Sequence, residues 1–282
     1  MIKSAVWRTG QPLKSALRWL LMVGIAGLTA APIYWMVATS LKPLSQIFQY
    51  PPTLVPDPLQ WSNYAQAVHQ LPFFTYLGNS ILLAVANVVG TVLSSLIVAY
   101  GFAKIHWRGR RVVFGLLVFS MFLPGTVTLV PSYIMFHAVH WTGTYLPLIV
   151  PEFFGSAFFI FLLDQFFRTI PQSYVEAARI DGANEWTILW RIIVPMSIPA
   201  IGSVALLSFN LSWDSFLLPL VFLNNPHMYT LPVGLFGMVD NKGTLWNQLM
   251  AASVLFMLPL VATFVVAQRA LVNGIQIGGL RE

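Results

Sequence analysis

An all-α polytopic membrane protein with six transmembrane helices is the fold class this sequence predicts, and three observations predict it. Charged residues make up 9% of the chain and hydrophobic residues 57%, against about 25% charged in ordinary soluble domains. So few charges could not cover a water-facing surface. The apolar residues fall into six stretches of the roughly twenty residues that a bilayer crossing needs: about 16–39, 77–103, 112–138, 145–167, 200–222 and 246–271. Lys and Arg are also sorted between the connections. Lys3, Arg8, Lys14 and Arg18 precede the first stretch; Lys104, Arg108, Arg110 and Arg111 lie between the second and third. Arg168, Arg179 and Arg191 flank or follow the fourth, and Arg269 and Arg281 lie at the end, leaving Lys42 and Lys242 for the other side. By the positive-inside bias both termini and the 171–199 segment are expected in the cytoplasm. The same sorting explains the net charge of +6 by lipid topology, so no nucleic-acid partner is expected.

The first stretch has the basic leader of a signal peptide. Its apolar run exceeds the 7–15 residues of an h-region, so it is read as a retained anchor. The following outer segment holds Pro43, Pro51, Pro52, Pro56, Pro58 and Pro72, which favours turn-rich backbone over a long helix. Trp61 to Val68 is expected as a short interfacial helix. The second stretch is rich in Ala84, Ala86, Gly90, Ser94, Ser95 and Ala99, small residues that let helices approach closely in lipid. The third contains Pro124 and Pro131. Each removes a backbone hydrogen bond and is expected to kink or break the helix, with a pathway lining as one consequence and a structural kink as the other.

The most polar cluster inside any stretch is Asn210, Ser212, Trp213, Asp214 and Ser215. An ionisable residue at a helix centre costs about 2.5–3.5 kcal/mol on insertion scales, so Asp214 is expected to face water or a partner. Asn210, Ser212, Trp213, Asp214, Pro124 and Pro131 are accordingly candidates for a substrate path, a structural role for Asp214 being the alternative. Asp164 and Arg168, at i and i+4, are expected to form a local ion pair. Glu152, after Pro151, is expected in an outer segment. His69, His106, His137, His140 and His227 are scattered without metal-ligand spacing, and the absence of Cys excludes disulfides and thiol chemistry.

The 171–199 segment, PQSYVEAARIDGANEWTILWRIIVPMSIP, carries its own turn pattern. Pro171 suits a first helical turn, and Gln172 to Ile180 suits a short helix. Asp181-Gly182 supplies a left-handed stop. Asn184 is a candidate N-cap, with Glu185 near the positive end of a second helix that is expected to end before Pro195. The result is a helix–turn–helix knuckle with more apolar residues (Ala177, Ile180, Ile188, Ile192) than a solvated linker needs, so something is expected to dock there.

Glu176-Ala177-Ala178, then Gly182, then Ile192 and Pro195 resemble the EAA loop of ABC-importer permeases, with Val194 in place of the family's leucine. The stretches LGNSILLAV, AYGFAKIHWRGR, LVPSYIMF, QFFRTIPQSYVEAARIDGA and GIQIGGLRE are similar to maltose-type, MalG-like carbohydrate permeases, so the likeness covers nearly the whole chain. Two departures are Trp213-Asp214 where relatives often carry Trp-Asn, and His140 where many carry Gly. The resemblance implies a type I (MetI-like) permease fold, one domain over 1–282, and a non-catalytic subunit in a bacterial inner membrane. Glu176, Ala177, Ala178, Arg179, Asp181, Gly182, Ile192 and Pro195 would then be the ATPase-coupling loop. It also implies a MalF-like sister permease, two ATPase subunits, an external solute-binding protein and a sugar-class substrate. This chain has no G-x-x-x-x-G-K-[ST] phosphate loop, so ATP and Mg are expected in the ATPase partners and no cofactor here. The C-terminal tail, with Gly274, Gly278 and Gly279, is expected to be flexible enough to reach those partners. An ion-coupled secondary transporter, although no internal repeat is visible, or a permease for a non-sugar solute is the competing expectation; a membrane enzyme would need paired catalytic groups that do not stand out.

Overall fold

The computed structural model describes residues 11–239 and 243–278, and the side chains of 15–239 and 243–266 among them. Lys3, Arg8, Lys242, Arg281 and the last four residues of the tail lie outside the described residues, as do the side chains of Lys14 and Arg269. Every regular element among the described residues is helical. In order these are α1 (Gln11–Ser40), α2 (Ser62–Gln70), α3 (Phe73–Ala103), α4 (Arg110–Ser120), α5 (Gly125–Ala138) and α6 (Ala157–Thr169). There follow α7 (Gln172–Ile180), α8 (Glu185–Met196), α9 (Ile198–Trp213), α10 (Leu217–Phe222), α11 (Leu231–Gly237) and α12 (Trp246–Gly278). Shorter turns occupy Leu44–Ile47, Leu146–Ile149, Val150–Phe154 and Pro226–Met228. Four runs are long and apolar enough to cross a membrane, and two bent pairs, α4 with α5 and α8 with α9, raise the number to six.

By internal contacts the chain forms two compact units, Met1–Leu71 with Met238–Leu255, and Pro72–Gly237 with Phe256–Glu282. In the first, the loop after α1 is tied to α2 by Asn63. Its amide donates to the carbonyls of Ser40 (2.9 Å) and Lys42 (3.0 Å), and its oxygen accepts from Asn247 (2.9 Å). Lys42 is buried, its ammonium 4.3 Å above the Trp35 ring and 2.5 Å from the Thr53 carbonyl it donates to. A short helix appears over the expected stretch as α2, with Trp61 exposed just before it and stacked on Tyr64.

In the second unit α3 is the central post, with α6 and α9 packed along it. One core joins Leu96, Ala99 and Tyr100 of α3 to Leu163 and Phe167 of α6 and Val204 of α9, and continues into the knuckle through Val175, Ala178, Ile188, Leu189 and Ile193. A second, smaller core gathers Leu83, Leu148, Phe222 and Leu223. Small residues on α3 and α11 permit the close approaches. A Cβ on Gly90 would lie 2.7 Å from the Phe153 ring, and one on Gly234 2.3 Å from the Tyr76 ring.

The spans are less continuous than the hydropathy pattern suggests. Pro124 breaks the third, leaving α4 and α5 at 98°, because its ring bars the preceding residue from helical backbone. Pro131, expected to act likewise, sits inside an unbroken α5. The fifth apolar stretch is interrupted: α9 stops at Trp213, with Asp214 as its C-cap, and α10 begins at Leu217; the polar cluster marks a helix end instead of a helix centre. The second knuckle helix does not end before Pro195. A π-turn at Leu189–Ile193, closed by Val194 N–H on the Leu189 carbonyl, carries it on to Met196. The wider turn relieves the clash Pro195 would make with the carbonyl four residues earlier. α8 and α9 then meet at 82°. Near the end of the chain the described backbone of α12 stays helical through Gly274 to Gly278.

Candidate functional site

The knuckle is built by local turn chemistry. Pro171 lies one position earlier than expected, as the N-cap of α7. At the other end Gly182 takes φ +81°, Ala183 N–H bonds the Ala178 carbonyl (2.9 Å) and Gly182 N–H bonds the Arg179 carbonyl (3.0 Å). Those two bonds are the Schellman closure, which needs a left-handed residue where Gly182 stands. Asn184 caps α8, its Oδ1 accepting from the backbone (2.8 Å) and hydroxyl (2.9 Å) of Thr187.

Two polar ties hold this knuckle to the central helix. The Tyr100 hydroxyl donates to Glu185 Oε2 at 2.5 Å while Arg179 Nε donates to Oε1 at 2.9 Å. Arg179's hydrogen bond pulls the Glu185 carboxyl below its usual range, burial opposes this, and Tyr100's bond adds to the lowering. Lys104, at the end of α3, is buried and donates to the Ile170 carbonyl at 2.6 Å. Burial first, and then the charge of Arg168, lowers its pKa. Asp164 and Arg168 form the expected pair, at 2.7 and 3.0 Å, with Arg168 over the Phe114 ring.

Of the coupling-loop residues, Glu176, Ala177, Arg179, Asp181, Gly182 and Pro195 are exposed. Ala178 is buried in the protein's own core and Ile192 is half-buried against it. Ile188, expected among the docking residues, is fully buried, whereas Ile180 is 86% exposed. Tyr174 and Trp186 are also exposed, so the free apolar surface is the end of α7 and the face around it.

A cavity of about 220 Å³ lies beside α3 and α9, lined by Asn87, Glu152, Ser156, Ser208, Ser212 and Ser215 among apolar neighbours. A second, of about 490 Å³, shares Glu152 and adds Thr126, Thr128 and Ser132 of α5. Asn87 donates to the Ser212 hydroxyl at 2.9 Å. Glu152 is not in an outer segment as its place after Pro151 suggested. Its Oε2 accepts from Thr91 (2.7 Å) and its backbone carbonyl from Ser94 (2.9 Å), both near the middle of α3. The following Phe153 ring lies on Gly90, and Gly155 turns the chain with φ +97°.

Of the residues proposed for a path, Ser212 alone lines either cavity. Trp213 is buried, donates to the Phe256 carbonyl at 3.2 Å, and lies between the Phe209 and Phe256 rings. Asn210 is half-buried with its Oδ1 enclosed and without a hydrogen-bond partner. Asp214, Pro124 and Pro131 are exposed, the two prolines on the segment whose Gly125, Thr126 and Thr128 face the larger cavity. Sequence reasoning missed Glu152, Tyr100 and Lys104; a carboxylate three residues before a Gly, opposite a Gly-x-x-x-Ser step in another span, was the one signal for the first.

The model of the family described as binding-protein-dependent transport system inner membrane component matches residues 90–277. The arabinooligosaccharides transport system permease protein AraQ of Halalkalibacterium halodurans is 30% identical over 271 residues, covering 94% of this chain and 97% of its own. The sn-glycerol-3-phosphate transport system permease protein UgpE of Yersinia enterocolitica is 33% identical over 265 residues, covering 91% of this chain and 93% of its own. A chain of a bacterial ABC transporter involved in import of the acidic polysaccharide alginate superposes with TM-score 0.82 over 94% of this chain and 99% of that one, at 23% identity, a likeness of fold.

Proposed function

This chain belongs to the family of binding-protein-dependent transport system inner membrane components, and from that premise we propose that it forms half the path of a sugar or sugar derivative and takes its driving force from separate ATPase subunits through the knuckle. Family membership makes it a multi-pass inner-membrane transport component. An ion-coupled secondary transporter finds no support among the relatives. The whole chain acts as one permease domain with both termini and the knuckle in the cytoplasm. A sister permease supplies the other half, two ATPases hold ATP and Mg, and an external binding protein delivers the solute. This chain itself catalyses nothing and carries no cofactor.

The observation that carries this reading is the knuckle's division of labour. One face is welded into the core through Val175, Ala178, Ile188, Leu189 and Ile193, while Glu176, Ala177, Ile180, Asp181 and Gly182 are left exposed at the tip. Closely packed interiors transmit displacement instead of absorbing it. A partner gripping the tip therefore moves α3, α6 and α9 with it, whereas a solvated loop would merely flex. As the two ATPases close on ATP, the paired knuckles approach and the spans swing from inward-open to outward-open.

Gly182→Val tests this. A β-branched residue is unfavourable at positive φ, so the turn must rearrange. Transport and solute-stimulated ATP hydrolysis fall at least tenfold while membrane insertion and assembly of the second unit's core stay normal. Wild-type transport by this variant, or purified complexes in which no ATPase contacts the tip, would end the coupling assignment.

A further inference from the structure

The knuckle explains how force enters but says nothing about what is moved; the cavities beside α3 bear on that. Glu152 stands where the two cavities meet and is the one charged residue among the described residues lining either. It is held from behind. Thr91 binds one carboxylate oxygen and Ser94 the backbone carbonyl, and no described residue donates to the other oxygen, Oε1. A carboxylate fixed through one oxygen, with the other unpartnered, accepts hydrogen bonds from hydroxyl groups. The surrounding polar groups are the Asn87 amide and the hydroxyls of Ser212, Ser215, Thr126 and Ser132, each of which can donate or accept. Among the described residues no Lys, Arg or His lines either cavity.

We propose that Glu152 contacts the solute in transit and makes this half of the pathway select neutral polyhydroxylated molecules and reject anionic ones. This rests on the sugar-permease reading above and narrows its substrate class. A neutral sugar satisfies Oε1 with a hydroxyl and the Ser, Thr and Asn groups with its other oxygens. A phosphate or uronate at the same place sets like charges together in a partly desolvated site with no cation to compensate. The relatives include transporters named for neutral and for acidic solutes, so the family alone does not decide between the two.

The test uses the complete transporter, with its ATPases, in nanodiscs, and two probes of matched length, maltotriose and trigalacturonate, measured by equilibrium binding. Wild type binds maltotriose at least tenfold tighter. Glu152→Gln keeps an acceptor for Thr91 but removes the charge: trigalacturonate binding rises about tenfold, maltotriose weakens a few-fold, and the preference collapses. Glu152→Asp keeps the charge on a shorter arm, so trigalacturonate stays excluded while maltotriose weakens. An unchanged ratio in Glu152→Gln, a wild-type preference for trigalacturonate, or binding of neither probe up to millimolar concentration overturns the proposal. So does a response of Glu152→Gln confined to sodium or proton dependence, which would assign the carboxylate to a cation. ATP hydrolysis stimulated by solute in the wild type separates these failures from failure of the importer reading, where that stimulation is itself missing.

Discussion

Tyr100 and Glu185, 85 residues apart in sequence, are joined by a 2.5 Å hydrogen bond from the phenol to the carboxylate. The bond runs from the last turn of α3 to the first turn of α8, the knuckle's second helix. Glu185 therefore does more than sit at the positive end of α8: it ties that helix to α3 and, through Arg179, to α7.

Tyr100→Phe removes this tie and leaves the ring packed. A hydrogen bond to a charged group contributes about 1.5–3 kcal/mol, so the thermal midpoint of the purified complex drops. ATP hydrolysis becomes less responsive to solute. A variant with wild-type stimulation and an unchanged midpoint would show the bond to be idle.

The Arg179–Glu185 pair has a pH signature. Because Glu185's folded pKa is depressed, its contribution is present above the ordinary glutamate pKa of about 4.3 and is lost as pH falls through the folded value. Both side chains are more than a third exposed, which limits the effect to under about 1 kcal/mol. Thermal midpoints of wild type and Glu185→Gln differ at neutral pH and converge as pH falls below the depressed folded value; a gap that persists in strong acid contradicts the charge-based origin.

Gly234→Ala and Gly90→Ala push a methyl to within 2.3 Å of the Tyr76 ring and 2.7 Å of the Phe153 ring. Both are enclosed, so overpacking costs about 1–3 kcal/mol each, read as lower unfolding midpoints in detergent. Gly202→Ala, with no atom beyond its own stretch of helix within 4 Å of the new carbon, is the control and should be neutral or slightly stabilising, as Ala is the better helix former.

His140 adopts φ +57°, left-handed backbone that costs a residue with a Cβ about 1–2 kcal/mol. A glycine at this point, which the resemblance implies for many relatives, would avoid that cost. His140→Gly relieves the strain at some cost in chain entropy, so stability stays level or rises by up to about 1 kcal/mol. A clear loss in a denaturation series would mean the exposed His140 side chain has a partner elsewhere in the assembly.

Much of the knuckle was legible from residues alone. The bounds of α7, the Gly182 turn and the Asn184 cap all follow from local rules acting over four or five residues, and so does the Asp164–Arg168 pair. The π-turn that lets α8 run past Pro195 was not legible, because proline's usual effect is to end a helix and the exception depends on the packing of Leu189 and Ile193. Glu152 was misplaced because a proline-flanked carboxylate between spans reads as surface; only its docking against Thr91 and Ser94 shows otherwise. Trp213 and Asp214 were grouped as one polar cluster, yet one is a core ring and the other an exposed helix cap.

By itself the sequence determined that this chain enters a bilayer and how the helices of the 171–199 segment begin and turn. Those properties are set by composition and by contacts between near neighbours. The tertiary structure alone decided which faces of the spans are buried, and so brought Glu152, Asn87 and Ser212 around one cavity and Tyr100 onto Glu185. In lipid the outward and inward faces of a helix are both apolar, so the periodicity that reveals a buried face in a water-soluble protein is missing, and only packing can supply the answer.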